Sequence, residues 1–363
     1  MQSLTLEQKV GQLFFIGISG PEIDEGTRKL LDDVNPGGIC LFARNIQSSQ
    51  QTRNLLDSLR ESLPLAPFLS VDQEGGLVDR LRRIITPMPA ASKFKEAASV
   101  AEVGLIVAET LRILGFNMNF APVVDVVTSD REVVGNGLFS RGFGRNETEV
   151  IDLAGAFFNS MWKGGVVGCL KHFPGIGAAA VDSHEELPEV NIDEGEFQNT
   201  DLAPYRSLFT TGSPEMVMVG HAAYPQLRLQ EADQDGRLLP SSLSSNFVSN
   251  LLRDELKFTG IAITDDLEMG AIVRNYGMAE ACKMAIGAGN DMLAICAKES
   301  AVREGFEGVL KEARSGEIDE ARIDKSLERI QRLRSKLSTP LAFNSERLTE
   351  LSNHISDLNA RLS

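Results

Sequence analysis

The chain has 363 residues and a formal net charge of −15 at pH 7, from 36 Lys and Arg against 51 Asp and Glu. This length allows one large α/β domain or two ordinary domains. Because phosphate groups are bound by clustered Lys and Arg, the acidity argues against nucleic acid or an anionic membrane surface as the main partner.

The four cysteines, Cys40, Cys169, Cys282 and Cys296, form no CxxC pattern, and each lies in an apolar run. They are typical of core residues in a reducing compartment, not of a disulfide framework or a zinc site. The first residues lack the basic-then-apolar layout of a secretory signal, and no apolar run approaches the ~20 residues of a membrane span. We therefore expect a soluble cytoplasmic monomer without a nucleic-acid or membrane partner.

Short apolar or β-branched runs recur along the chain, and segments of helical spacing, such as 101–114 and 244–256, lie between them. Near-continuous apolar strands are typical of a parallel sheet that is covered on both faces. In chain order, the predicted strands are 13–17, 38–42, 67–71, 116–120, 166–170, 216–220, 260–264 and 291–295.

Eight strands that alternate with helices favour an α/β fold of the (β/α)8 TIM-barrel type over a doubly wound sheet. A dinucleotide-binding sheet would also need a GxGxxG turn after its first strand, where residues 17–22 read GISGPE. Segment 321–336 is predicted to be the last barrel helix, and residues from about 340 to 363 a C-terminal helical extension. We expect one domain over 1–363. Trp162 and the ten methionines are predicted to be core residues.

Polar residues follow five of the predicted strands, at the ends where the active site of such a barrel lies. A single Asp or His there is often a helix cap, but three of the four His and five strands contribute, which favours a shared site. Asp125 is the weakest candidate, because it would serve equally well to hold its own loop, and His354 is predicted to be on the surface. The candidates are Asp72, Arg80, Arg82, Asn119, Asp125, Lys171, His172, Asp182, His184, His221, Asp265 and Asp266.

Five motifs resemble, in order, segments of the family 3 glycoside hydrolases of the β-N-acetylglucosaminidase (NagZ-like) branch. They are DQEGGxVxRL at 72–81, FAPVxD at 120–125, RxFG at 141–144, KHFPGxGxxxxDSH at 171–184 and ITDDLxM at 263–269. The resemblance implies a barrel without the second domain that other members of the family carry, and it implies no metal or cofactor.

Carried over residue by residue, the resemblance implies that Asp265 is the nucleophile. His184 would be the general acid/base, with Asp182 as its dyad partner, and Asp266 has no assigned role. The sugar in the subsite before the cleaved bond would be bound by Asp72, Arg80, Arg141, Lys171 and His172.

The chemistry fits these residue types. Retaining glycoside hydrolysis needs a carboxylate that attacks the anomeric carbon and a proton donor for the leaving oxygen. Most such enzymes use a second carboxylic acid, whereas here His184 would donate the proton while Asp182 raises the pKa of its imidazole. Gly175 and Gly177 would let this loop move. One departure is Ile176, where the family usually has His or Asp, so a polar loop contact is missing.

The function implied is an exo-β-N-acetylglucosaminidase that removes terminal GlcNAc, with anhydro-muropeptides from peptidoglycan recycling as the small carbohydrate substrate. A phosphorylase of the same fold is the alternative, because a His acid/base does not repel an incoming phosphate. A catalytically weakened muropeptide-binding barrel is a second alternative, motivated by Ile176. A Schiff-base aldolase that uses Lys171 is a third, and the neighbouring His172 argues against it. One Trp and three Tyr leave few rings for stacking on sugars, which favours a small pocket.

Overall fold

The computed structural model describes residues 4–131, 137–179, 186–212 and 214–362. Strands and helices alternate along the chain. The strands are β1 (Phe14–Gly17), β2 (Gly38–Leu41), β3 (Phe68–Val71), β4 (Gln73–Gly75), β5 (Val78–Asp79), β6 (Met118–Asn119), β7 (Val167–Gly168), β8 (Leu170–Phe173), β9 (Met216–Val219), β10 (Ile261–Asp266) and β11 (Met292–Ile295).

The helices cover the sheet and follow the strands in sequence. Two further segments, Phe197–Asp201 and Asn246–Glu255, are wound as π-helix. The α-helices are α1 (Leu6–Gly11), α2 (Glu25–Val34), α3 (Ser49–Ser62), α4 (Ala97–Leu114), α5 (Glu147–Lys163), α6 (Glu194–Glu196), α7 (Ala203–Thr211), α8 (Gly270–Val273), α9 (Met278–Ala288), α10 (Glu299–Ser315), α11 (Glu320–Arg334) and α12 (Ser345–Leu362).

Seven strands form one parallel sheet in the order β3-β2-β1-β11-β10-β9-β8. The first and last strands of the chain are neighbours in it, with Phe14 of β1 opposite Leu293 of β11. On its other side β1 pairs with β2, and Phe15 lies opposite Gly38. All the parallel strands therefore point their carboxyl ends toward the same rim.

A second parallel pair, β6 and β7, adjoins both edges of this sheet. The backbone N–H groups of Asn117 and Phe120, on either side of β6, donate to the carbonyls of Leu69 and Val71 in β3 at 3.1 and 2.9 Å. Only Cys169 separates β7 from β8. The sheet is thus curled, and the α/β fold predicted from the sequence is confirmed.

The fourth predicted strand is shorter than expected, because β6 covers only two of the residues 116–120. Side-chain amides take over part of the ladder. The Oδ1 atoms of Asn117 and Asn119 accept from the backbone N–H groups of Leu69 and Gln73 at 2.8 and 2.9 Å. Pro122, which follows, has no N–H to donate. A strand built partly from side-chain hydrogen bonds cannot be recognised from apolar periodicity.

Apolar residues from β1 to α12 form one buried core. The four cysteines are buried free thiols, as predicted. The prediction for Trp162 is wrong, since 41% of its surface is exposed on the outside of α5. His354 is exposed, as expected. Within the described residues, no helix is both long and apolar enough to cross a bilayer.

The C-terminal helices are attached to this core by charge. Buried Asp291, just before β11, accepts from Arg329 and Ser326 of α11 at 2.9 and 2.8 Å. Its second oxygen accepts from Arg253 at 2.5 Å and from the backbone N–H of Ala262 at 3.0 Å. One carboxylate therefore joins α11, the π-helical segment before β10 and β10 itself.

We predict that Asp291→Ala lowers the free energy of unfolding by about 3–5 kcal/mol, because it leaves buried guanidinium groups without their counter-ion. The loss is measured by urea unfolding, with circular dichroism as the signal. Asp235→Ala is the matched control, since the ion pair of Asp235 with Arg237 is exposed and worth little. Equal losses in the two variants would contradict the prediction.

Candidate active site

A cavity of about 320 Å³ opens at the carboxyl rim of the sheet. Of the eight residues to which the resemblance gives a role, six line it, and Asp182 and His184 lie outside the described residues; the candidate Asp266 lines it as well. Apolar side chains, among them Phe42, Phe120 and Met218, complete the wall. The six are Asp72, Arg80, Arg141, Lys171, His172 and Asp265.

The first acidic group of the site, Asp72, lies immediately before the two-stranded ribbon β4–β5. Gln73 holds this ribbon, since its Oε1 accepts from the Leu81 N–H at 3.1 Å and its Nε2 donates to Asp79 at 2.8 Å. At Gly75 the backbone has φ 94°, and a Cβ there would lie 2.3 Å from the carbonyl oxygen of Pro89. A larger residue would push the ribbon, and Asp72 before it, away from the cavity.

Charges of alternating sign cross the cavity wall. The Lys171 ammonium lies 2.8 Å from Asp72 and 2.6 Å from Glu74. Arg141 binds the same Glu74 through Nε at 2.8 Å and Nη2 at 3.0 Å. At the other end, Nη2 of Arg80 is 4.0 Å from the second oxygen of Asp72.

These contacts control ionisation. Burial would raise the pKa of Glu74, but Lys171 and Arg141 outweigh it and lower the pKa to about 2. Burial opposes charge on Lys171 as well, yet Asp72 and Glu74 raise its pKa above the ordinary value. At neutral pH Glu74 is therefore an anion and Lys171 a cation.

Asp125 does not line the cavity and does not simply hold its own loop. Its carboxylate accepts from Nδ1 of His172 at 2.7 Å and from the backbone N–H of Ile176 at 2.8 Å. This fully buried side chain thus shapes the turn after β8 and orients the His172 ring, whose Nε2 is left for the cavity. Ile176 itself is buried in the cavity wall.

Two consecutive aspartates end β10, and their surroundings separate them. Burial would raise the pKa of Asp265, but His172 and the backbone N–H of Asp266 lower it below the ordinary value. Burial raises the pKa of Asp266 to about 7, against hydrogen bonds from the backbone N–H groups of Glu268 and Cys296. Neighbouring carboxyl groups whose pKa values are moved in opposite directions take different roles. Asp265 is therefore an anion at neutral pH, and Asp266 caps the turn that follows through the Glu268 N–H.

His221 lies beneath the site and does not reach the cavity. Its Nε2 is 3.1 Å from the carbonyl oxygen of Asp266, and its Nδ1 is 2.7 Å from the Ser242 hydroxyl. Burial lowers the pKa of His221, so the neutral ring donates to that carbonyl. The ring therefore supports the main chain next to Asp265.

For two residues that follow the third predicted strand, Arg82 and Glu74, the structure differs from the sequence prediction. Arg82 donates to the backbone carbonyls of Gly76, Leu77 and Asp79, so it belongs to the ribbon and not to the site. Glu74 received no role from the sequence, although it contacts two site cations. Its one signal in the sequence is its position two residues after Asp72 within the DQEGG motif, whereas its partners Lys171 and Arg141 lie on other elements.

The arrangement suits a neutral polyol. Asp72 offers an acceptor for hydroxyl groups, and Lys171 and Arg141 offer donors, around a carboxylate that stays ionised. Over the described part of the chain, no group of three or more His, Cys, Asp and Glu side chains is placed to hold a metal ion.

The chain matches the family model of the glycosyl hydrolase family 3 N terminal domain over residues 5–333. It is 32% identical over 286 residues to a beta-hexosaminidase of Tolumonas auensis, covering 77% of this chain and 81% of that one. It is 30% identical to beta-hexosaminidase A of Pseudoalteromonas piscicida over 340 residues, but these span only 55% of that protein's length.

A similar solved structure is that of a glycoside hydrolase family 3 beta-N-acetylglucosaminidase from Paenibacillus sp. str. FPU-7. Its TM-score is 0.86 at 33% identity, over 98% of this chain and 69% of that one. A beta-N-acetylhexosaminidase from Beutenbergia cavernae gives a TM-score of 0.83 at 27% identity, over 92% of this chain and 99% of that one. The family model, the hexosaminidase relatives and the fold agree, and the chain belongs to glycosyl hydrolase family 3, a family of glycosidases.

Proposed function

We propose that this chain is an exo-β-N-acetylglucosaminidase that hydrolyses terminal β-linked GlcNAc by a retaining, two-step mechanism. The observation that carries the proposal is Asp265, a carboxylate with a lowered pKa that faces a small cavity rich in hydrogen-bonding groups. The hexosaminidase names of the relatives support the acetamido sugar as substrate.

In the first step the sugar binds with its hydroxyl groups against Asp72, Arg80, Lys171, Arg141 and His172. Asp265 attacks the anomeric carbon and forms a covalent glycosyl-enzyme, and the bond to the leaving oxygen breaks. In the second step water attacks the anomeric carbon, the bond from that carbon to Asp265 breaks, and GlcNAc is released while Asp265 returns to its free carboxylate form.

His184 supplies the proton for the leaving oxygen and then removes one from the attacking water. Asp182 orients the imidazole and favours its charged form. Both residues lie outside the described part of the chain, so their roles rest on the DSH motif. Glu186 follows His184 by two positions and forms an ion pair with Arg274 at 3.2 Å. This contact joins the chain after the DSH motif to the segment after α8.

The substrate we propose is a GlcNAc-anhydro-muropeptide of peptidoglycan recycling, cleaved by a cytoplasmic monomer. A cavity of about 320 Å³ is near the lower end of the roughly 300–1,000 Å³ of ligand sites, which supports one terminal sugar over a long chain. Four buried free thiols support a reducing compartment.

We further propose that the strands close into a single (β/α)8 barrel over 1–363, with α12 as its C-terminal extension. The pairing of β11 with β1 supports closure on one side. The hydrogen bonds from Asn117 and Phe120 to the β3 segment support it on the other. The bidentate contact of Arg347 with Glu109 on α4, at 2.7 and 2.9 Å, supports α12 as part of the same body.

Turnover of 4-nitrophenyl N-acetyl-β-glucosaminide tests the function. If the unaltered chain shows no turnover, the muropeptide-binding barrel is the remaining alternative. We predict that Asp265→Asn lowers turnover by about 10⁴-fold, because the amide cannot attack the anomeric carbon. Asp266→Asn is the matched variant and loses far less, since an amide oxygen still accepts the two backbone hydrogen bonds. Near-normal turnover by Asp265→Asn would refute the nucleophile assignment.

For the acid/base, we predict that the effect of His184→Ala depends on the leaving group. kcat/KM for a GlcNAc disaccharide falls by about 10²–10⁴-fold, because its poor leaving oxygen needs the proton. kcat/KM for the 4-nitrophenyl substrate changes little, since nitrophenolate leaves without help. Ser183→Ala serves as the control. Equal losses on both substrates would argue against proton donation by His184.

Phosphorolysis is tested by comparing products with and without phosphate. We predict free GlcNAc in both cases and no GlcNAc-1-phosphate, because Lys171 and Arg141 are already neutralised by Asp72 and Glu74 and offer no unpaired cation to phosphate. Mass spectrometry distinguishes the two products. GlcNAc-1-phosphate as the major product would establish the phosphorylase instead.

A further inference from the structure

Glu74 differs from the other acidic groups of the cavity because both of its oxygens are occupied within the protein. Its Oε1 lies 2.6 Å from Lys171 Nζ and 3.0 Å from Arg141 Nη2, and its Oε2 lies 2.8 Å from Arg141 Nε. Only 3% of the side chain is exposed. A carboxylate used in this way has little left to accept from a sugar hydroxyl.

We propose that Glu74 is a positioning residue for the glycosidase reaction: it holds the Lys171 ammonium and the Arg141 guanidinium together and so leaves Asp72 free to bind the sugar. This inference rests on the proposed function. Lys171 is on β8, Arg141 is in the segment before α5, and Glu74 is on the β4 ribbon. Three separate elements are thereby fixed to one carboxylate.

Counting donors and acceptors supports this role. Lysine has three donors, and Asp72 and Glu74 take two, so one is left for the ligand. Arginine has five, and Glu74 takes two of those of Arg141. Oδ1 of Asp72 accepts from Lys171 at 2.8 Å, whereas its Oδ2 is 4.0 Å from Arg80, too far for a hydrogen bond. Oδ2 is thus the acceptor that faces the sugar.

Without Glu74, two buried cations would share Asp72 as their nearest anion. Asp72 would then turn toward them, and its acceptor for the sugar would be lost. The charges that face Lys171 are Asp72, Glu74 and Arg141, with Asp265 across the cavity. Removal of Glu74 leaves burial and Arg141 to lower the pKa of Lys171, so Lys171 would deprotonate at a lower pH.

A merely structural role is the competing explanation, and the ribbon does not need Glu74 for its shape. Gln73 binds Leu81 and Asp79, and Arg82 binds three ribbon carbonyls, all without Glu74. Neutralising Glu74 therefore disturbs the cations of the site before it disturbs the ribbon.

The test compares Glu74→Gln with Glu109→Gln in the full chain. Glu109 makes a similar bidentate pair with Arg347, but outside the site between α4 and α12. kcat and KM for 4-nitrophenyl N-acetyl-β-glucosaminide are measured across the pH range, with Tm as a check on folding. We expect Glu74→Gln to lower kcat/KM by about 10²-fold, because charge-assisted bidentate bonds are lost, and to move the alkaline limb of kcat/KM to lower pH. Glu109→Gln keeps the kinetics of the unaltered chain.

Unchanged kcat/KM in Glu74→Gln, or a loss with an unmoved alkaline limb, overturns the inference. If Glu74→Gln does not fold, Glu74→Asp replaces it; the shorter carboxylate should lower kcat/KM and keep the limb, and normal kcat/KM or a shifted limb overturns the inference. Calorimetry with GlcNAc separates this result from the function. If the unaltered chain binds GlcNAc but shows no turnover, the hydrolase is refuted, and a GlcNAc affinity of Glu74→Gln equal to that of the unaltered chain overturns the inference. If the unaltered chain shows neither binding nor turnover, both are refuted.

Discussion

Parallel hydrogen bonding between strands from opposite ends of the chain is the constraint on which the site depends. Because β1 pairs with β11 on one side and β2 on the other, the carboxyl ends of distant strands reach one rim. Asp72 and Asp265 are 193 positions apart in the sequence and still line one cavity. No local motif creates this proximity. Parallel pairing creates it, and burial of the apolar strands on both faces of the sheet stabilises the paired arrangement.

The cavity then has to keep charged groups ionised in a poorly hydrated wall. It does so by mutual compensation, with Lys171 between Asp72 and Glu74 and Arg141 at the end of the series. Burying either cation alone would be costly, but buried groups in alternation hold each other's charge. Asp265 is kept anionic differently, by nearby His172 and a backbone N–H. The overall charge of −15 is therefore uninformative about the site.

Much of the molecule could be predicted from the sequence, because parallel strands leave a strong apolar signal and the motifs are dense. The parallel α/β sheet and six of the residues that line the cavity follow from it. The amide side chains that shorten β6 could not be predicted, since Asn117 looks like any polar residue in a strand. Glu74 and Asp125 were missed or undervalued for a similar reason. Their partners lie on other elements, and only the fold brings them within hydrogen-bonding distance.

The neighbouring positions of the first and last strands also bear on how the protein is made. Contacts between residues so far apart in sequence form late, since closing long loops costs entropy before any contact repays it. A chain emerging from the ribosome has its early strands long before β11 is available to flank β1. The cavity is therefore complete only after β10 and β11 have been synthesised and paired. Ligand affinity consequently measures whether the sheet is complete.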